Sequence, residues 1–234
     1  MFKITKTKAT ISLFTLFIGT IIGIYGCSTT PVSTQTDNLD VSYMSGRTFI
    51  DNVSDTLVLD TVKVLIKNIK LNGSGNSDSS NFKVGPYVFY LNFATGISIV
   101  NAAYIPPGTY DKVIFDFHKL DDTETPPDPD FLDLNGRYST VVKGKFNGVP
   151  FVFKSDKSYH QKLSFPNSLI VTSAFVSNIT IQARPYIWFY SNGVLLDPNN
   201  SANKTTIENN IKDNVNENFK AFKDNDKNGI PDLN

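Results

Sequence analysis

The sequence predicts a mainly β protein: an antiparallel β-sandwich of about seven to nine strands with one amphipathic helix near the C-terminus. Three observations carry this expectation. From Thr56 into the 190s, apolar residues recur with period two, which places one face of a strand on a core. Turn residues punctuate those runs, notably Pro106-Pro107-Gly108 and Asn147-Gly148. Only after residue 200 does the apolar spacing lengthen, through Ile207, Ile211, Val215, Phe219 and Phe222, to that of a helix. With 40% hydrophobic and 12% aromatic residues, the 234-residue chain has enough apolar surface for a sizeable core.

The first 26 residues stand apart. Lys3, Lys6 and Lys8 precede an apolar run from Ile11 to Gly26, and no further charge occurs until Asp37. A basic start followed by an apolar stretch is the layout of an export signal, which is excluded from fold reasoning. The run ends at Gly26-Cys27, the only thiol in the chain. Ile24 and Gly26 resemble a bacterial lipobox, which marks Cys27 as the site of lipidation, while Tyr25 departs from the small residue usual there. An uncleaved signal anchor is the competing reading: it needs roughly 20 apolar residues. Residues 27–40, rich in Ser, Thr, Gln and Asn, read as a flexible stalk.

The strands follow in order. In Val62-Lys63-Val64-Leu65-Ile66-Lys67 aliphatic residues alternate with lysine, and Ile69 and Leu71 then take the opposite phase, so a bulge near Asn68 is expected. Residues 73–80 are a loop of Gly, Ser, Asn and Asp, and 82–93 reads as an aromatic-rich strand. Between Tyr110 and Lys119, Val113, Phe115 and Phe117 share one face and Lys112, Asp116 and His118 the other. Asn147-Gly148 between extended flanks predicts a two-residue type I′ hairpin, because both turn residues need positive φ. Residues 169–176 and 178–190 supply two further strands. The domain thus spans 41–200, and 201–234 adds the helix, with Thr205-Thr206-Ile207-Glu208 as its capping box.

Composition excludes several functions. One cysteine cannot make an internal disulfide or a cysteine-based zinc site, and two histidines argue against a multi-histidine centre. The 22 basic and 22 acidic residues give no basic excess for nucleic acid. That balance belongs to the precursor: removing 1–26 takes three lysines and no acid, leaving an acidic domain.

Six stretches together resemble a family of uncharacterised bacterial lipoproteins with a β-sandwich domain of unknown function. They are Asp60-Thr-Val-Lys-Val-Leu-Ile-Lys67, Val84-Gly-Pro-Tyr-Val88, Ile105-Pro-Pro-Gly-Thr-Tyr-Asp-Lys-Val113 with Phe117-His-Lys119, Val142-Lys-Gly-Lys-Phe-Asn-Gly148, Leu196-Asp-Pro198, and Asp224-Asn-Asp-Lys-Asn-Gly-Ile-Pro-Asp232. The resemblance implies a transthyretin-like or immunoglobulin-like sandwich in the cell envelope, and no particular activity.

The last of these stretches has the spacing of a calcium loop. Ca²⁺ takes six to eight oxygens, supplied at loop positions 1, 3, 5, 7 and 9, with glycine at 6 for the sharp turn. These map to Asp224, Asp226, Asn228, the Ile230 carbonyl, Asp232 and Gly229. A glutamate at position 12 would fall beyond Asn234. Two further features compete with blander readings. Tyr186, Trp188 and Tyr190 form either a sugar-stacking platform or part of a buried strand. The loop from Asp121 to Asp130, with Asp133, carries six acids and no base, and reads as an exposed acidic loop or a second cation site. There is no Gly-x-Ser-x-Gly, His-Glu-x-x-His or P-loop. The expectation is a non-enzymatic, lipid-anchored envelope protein, a structural or interaction module whose partner is an envelope protein or a polysaccharide.

Overall fold

The computed structural model describes residues 36–45, 56–73, 86–91, 98–213 and 218–233. Cys27, the expected export signal and the loop expected at 73–80, apart from Gly73, lie outside them. In chain order the strands are β1 (Leu39–Ser45), β2 (Leu57–Gly73), β3 (Tyr87–Leu91), β4 (Ser98–Ala103), β5 (Gly108–Phe117), β6 (Leu132–Asp133), β7 (Gly136–Arg137), β8 (Thr140–Phe146), β9 (Val149–Ser155), β10 (Tyr159–Val171), β11 (Ser177–Ala183), β12 (Tyr190–Ser191) and β13 (Val194–Leu195). The helix α1 (Lys204–Asp213) and β14 (Phe219–Lys223) complete the chain. Among the described residues no helix is long and apolar enough to cross a membrane.

Two main sheets result. One runs β14-β11-β1-β4, the other β10-β5-β2-β8-β9 with β3 also on β2. The remaining strands form two short ribbons, β6/β7 and β12/β13. Among the described residues the strands number 14 rather than seven to nine, because these ribbons and the C-terminal β14 add to the long runs. Among the described residues pairing is antiparallel with one exception: β1 lies parallel to β11, in register from Leu39↔Ser177 to Ser45↔Ala183. That pair joins segments far apart in sequence, so no hairpin signal could announce it. Asn38 and Leu39, expected in the stalk, are instead buried in the fold: the Asn38 side chain ties to Ile105, donating to its carbonyl and accepting from its N–H.

One hydrophobic cluster takes side chains from both sheets and from α1, including Leu39, Val64, Phe115, Leu163, Ile181, Trp188, Ile207 and Phe219. A satellite of Leu65, Leu120, Phe131 and Val141 sits on the opposite side of β2. The phase change expected in β2 is present. Register shifts between Ile66 and Asn68, which lets Val62, Val64 and then Ile69, Leu71 all reach the main core. The Asn147-Gly148 turn has φ of 50° and 78° and joins β8 to β9, as the type I′ expectation requires. Asn192-Gly193 makes the same turn between β12 and β13.

Three local readings are corrected. The stripe from Ile207 does not continue as one helix: Phe219 and Phe222 belong to β14, Val215 lies outside the described residues, and only Ile207 and Ile211 are core residues of α1. The capping box is not used. A 3-10 turn over Ser201–Asn203 leads into α1, Asn200 caps it by accepting from Ala202 N, and Glu208 is buried, accepting from Ser155 Oγ and Lys204 Nζ. The strand expected over 178–190 stops at Ala183, because Pro185 has no N–H for the ladder and Pro185–Phe189 winds into a 3-10 turn. In its neighbourhood β10 begins at Tyr159, earlier than expected, and ends at Val171.

Gly144 in the six-stranded sheet has no room for a side chain. A Cβ there would lie 2.0 Å from the Val58 carbonyl oxygen and 3.0 Å from the Phe151 ring. Gly144→Ala is therefore expected to cost about 1–3 kcal/mol through forced backbone displacement, read as a lower urea midpoint at unchanged m-value.

Candidate metal centre

The candidate centre forms where β14 ends and the chain turns back on β11 and β1. Asp224 is fully buried. Its Oδ2 accepts from Thr180 Oγ1 at 2.6 Å and Gly229 N at 3.1 Å, and its Oδ1 from Asn228 N at 2.9 Å. Its carbonyl accepts from Asn178 Nδ2 at 2.8 Å, and Asn178 Oδ1 accepts from Ser42 Oγ at 2.7 Å. A continuous polar chain thus runs from β1 through β11 into the loop. Asp232 closes the loop, its N–H bonded to the Lys223 carbonyl and its Oδ2 accepting from Asn225 N at 3.0 Å. Lys227 reaches across to Asp40 on β1, 2.8 Å away.

The backbone supports the sequence pattern. Gly229 at loop position 6 has φ +81°, and Lys227 at position 4 has φ +58°. Only glycine adopts that region freely, so the loop holds its shape against a local strain at Lys227. Asp224, Asp226 and Asp232 each offer a carboxylate oxygen, and these oxygens lie within 4.8 Å of one another. Two oxygens bound to one Ca²⁺ at about 2.3–2.6 Å are at most about 5 Å apart, so the trio could hold such an ion. The other two expected ligands are less direct. Asn228 Oδ1 accepts from Ile230 N at 2.7 Å while its Nδ2 donates to Asp226 at 2.7 Å, and Ile230 is exposed. Lys223 Nζ stands 3.9 Å from Asp232 and supplies the one nearby balancing charge to that carboxylate.

The aromatic platform is overturned. Trp188 has no exposed surface and packs 6.1 Å from the Phe219 ring, so it cannot stack on a sugar. It fails as a strand residue too, since Tyr186 and Trp188 sit in the 3-10 turn rather than alternating across a sheet. Tyr190 and Tyr186 are half-buried, and Asn210 Nδ2 donates to the carbonyls of Trp188 and Tyr190, fixing this turn to α1.

The acidic loop finds its bases on the sheet. Lys63 from β2 contacts Asp128 at 2.6 Å and Asp130 at 2.8 Å; Lys143 from β8 contacts Asp130 at 2.8 Å. Lys154 from β9 contacts Asp133 at 2.7 Å, and Arg137 donates to the carbonyls of Asp122 and Glu124. The Lys143 and Lys63 hydrogen bonds hold the Asp130 carboxyl below its ordinary range. The Lys154 bond, with the Asn135 N–H, draws Asp133 down to about 2. These acids are spent on the flap that covers Phe131 and Leu65, and among the described residues they form no second cluster of metal-ligating groups.

Both histidines of the chain, His118 and His160, line one 260 Å³ cavity with Asp116 and Ser158. The sequence did not pair them; the β5–β10 register does, placing His160 opposite Asp116 with Nδ1 2.5 Å from Oδ1. Burial works to raise the Asp116 pKa, yet bonds from Asn68 and His160 outweigh it and the carboxyl is lowered. Ser158 makes no hydrogen bond to either ring among the described residues.

Two outcomes test this arrangement. Trp188 fluorescence should resist iodide quenching in the native state and become quenchable on unfolding. The flap should loosen in acid. Carboxylates with depressed pKa stabilise the fold fully above their unfolded value, and that contribution is lost as pH falls through the folded one. For Asp133 the window runs from its ordinary 3.8 down to about 2. Amide exchange at 128–139 should therefore accelerate there at lower acidity than exchange in β2. No family model, no curated protein and no solved structure matches this chain.

Proposed function

We propose that this chain is a non-enzymatic, lipid-anchored protein of the bacterial cell envelope, a structural or protein-interaction module of sandwich type whose C-terminal loop binds Ca²⁺. The observation that carries the calcium reading is the clustering of the Asp224, Asp226 and Asp232 oxygens around a fully buried carboxylate. Three carboxylates so close repel one another, and one of them has no access to water. A divalent ion removes both penalties. Its role is structural: it fixes the chain end against β11 and β1 through the Asp224–Thr180 and Asp224–Asn178 bonds. Modules outside the cytoplasm commonly bind calcium at about 10⁻⁴–10⁻³ M, which suits a shell of three acids completed by carbonyls and water.

The anchor reading rests on the basic start, the apolar run and Gly26-Cys27. Acyl chains on Cys27 would each bury methylenes at about 0.8 kcal/mol apiece, holding the domain at a membrane surface. Its partner there would be an envelope protein or polysaccharide.

At calcium about a hundredfold over Kd, native-state binding adds about 2.7 kcal/mol, expected to raise the melting midpoint by about 5–10 °C relative to chelator. Asp226→Ala should abolish that rise while leaving the chelator midpoint near wild type, since Asp226 is exposed. Equal midpoints with calcium and chelator would remove the calcium reading. Intact mass should show acylation at Cys27 that Cys27→Ala lacks; an unmodified thiol in membrane fractions would remove the anchor.

A further inference from the structure

We propose that the seam between β10 and β14 binds a small amphipathic anion: a molecule with an apolar body and a single carboxylate-like head. These two strands are edges of different sheets, and they come within 8 Å of each other without pairing. A cavity of about 480 Å³ opens between them, a size within the range of about 300–1,000 Å³ usual for small-molecule sites. Leu163 and Phe219, both core residues, form part of its lining, so an apolar body entering the seam meets the edge of the main core.

The polar part of the lining is cationic. Lys162 and Lys220 border the cavity, and among the described residues no acid does. Neither side-chain ammonium makes an ion pair or hydrogen bond with another described residue, in contrast to Lys63, Lys143 and Lys154, which are all matched with aspartates. The Gln182 side chain also lines the cavity without a partner among the described residues, leaving an amide donor for the head group. Two unmatched ammonium groups beside an apolar floor complement an anion with a hydrocarbon body and repel a metal ion.

Geometry rejects a peptide strand as occupant. A strand inserted between two edges needs about 9.6 Å, twice the interstrand spacing, and the two edges are already closer than this. The opening arises from β10 itself. Its register on β5 breaks between Ser164 and Leu169, and Pro166, which has no N–H to give a ladder, lines the cavity in that break.

The test uses the full chain in neutral phosphatidylcholine nanodiscs and a diazirine-bearing decanoate as photoprobe. Labelled peptides are mapped by mass spectrometry. Label is expected on 162–166 and 219–222, displaced by decanoate at lower concentration than by decanol or decyltrimethylammonium. Lys162→Gln and Lys220→Gln, both at exposed positions, should each weaken decanoate binding about two- to fivefold at unchanged melting midpoint. Label confined to other segments, equal displacement by the three amphiphiles, or an unchanged affinity in the double variant would each overturn the proposal.

Discussion

The buried Asp224 carboxylate is the constraint from which the C-terminal half of the four-stranded sheet takes its arrangement. An ionised group with no exposure is tolerated only if it is fully hydrogen-bonded or paired. Here the donors come from three places: Thr180 on β11 and the N–H groups of Asn228 and Gly229 in the loop. Meeting that demand fixes the loop's path, and the path requires φ +81° at Gly229. The same network extends through Asn178 to Ser42. It therefore also secures β1 beside β11, the one parallel pair, whose two strands are joined by no local turn.

A second polar arrangement holds the helix in place. Gln161 on β10 is fully buried and donates to the carbonyls of Ile211 and Lys212, and Asn218 donates to the carbonyls of Asn210 and Ile211. Those carbonyls belong to the last described turn of α1. Side-chain amides from β10 and from the residue before β14 thus tie this turn to the core, in which Ile207, Ile211, Phe219 and Ala221 share one cluster.

What the sequence made legible, and what it concealed, follows from the range of each interaction. The β2 bulge, the buried face of β5 and the Asn147-Gly148 hairpin were readable because a few neighbouring residues dictate them. The start of β10 was missed although Tyr159, Gln161, Leu163 and Phe165 alternate with His160, Lys162 and Ser164. Gln161 disguised the pattern, since its burial depends on a helix end some 50 residues away. Spacing also misled at Phe219 and Phe222: intervals of four and three fit a helix, but tertiary pairing with β11 made them strand. For the candidate site, the loop positions of Asp224, Asp226, Asp232 and Gly229 were legible. The contributions of Thr180, Asn178 and Ser42 were not, because only sheet register brings them there. The resemblance and the export signal bear on residues or properties that the fold does not address.

The two acid-rich segments show why composition alone could not assign their roles. The loop around Asp128, Asp130 and Asp133 lies over a sheet face that projects Lys63, Lys143 and Lys154, so each of these carboxylates meets an ammonium within 2.8 Å. Its charge is consumed in holding the flap over the satellite cluster. The segment from Asp224 to Asp232 lies over Thr180, Asn178 and Ser42, which offer hydroxyls and amides but no charge. Lys227, the base within it, is matched with Asp40 on β1. Among the described residues, carboxylates therefore cluster at one end of the four-stranded sheet, while Lys162 and Lys220 meet no carboxylate along the nearby β10–β14 seam. Ion pairing within the fold settles the first loop; the second loop and the seam carry the charge that the proposed cation and organic anion, respectively, would complete.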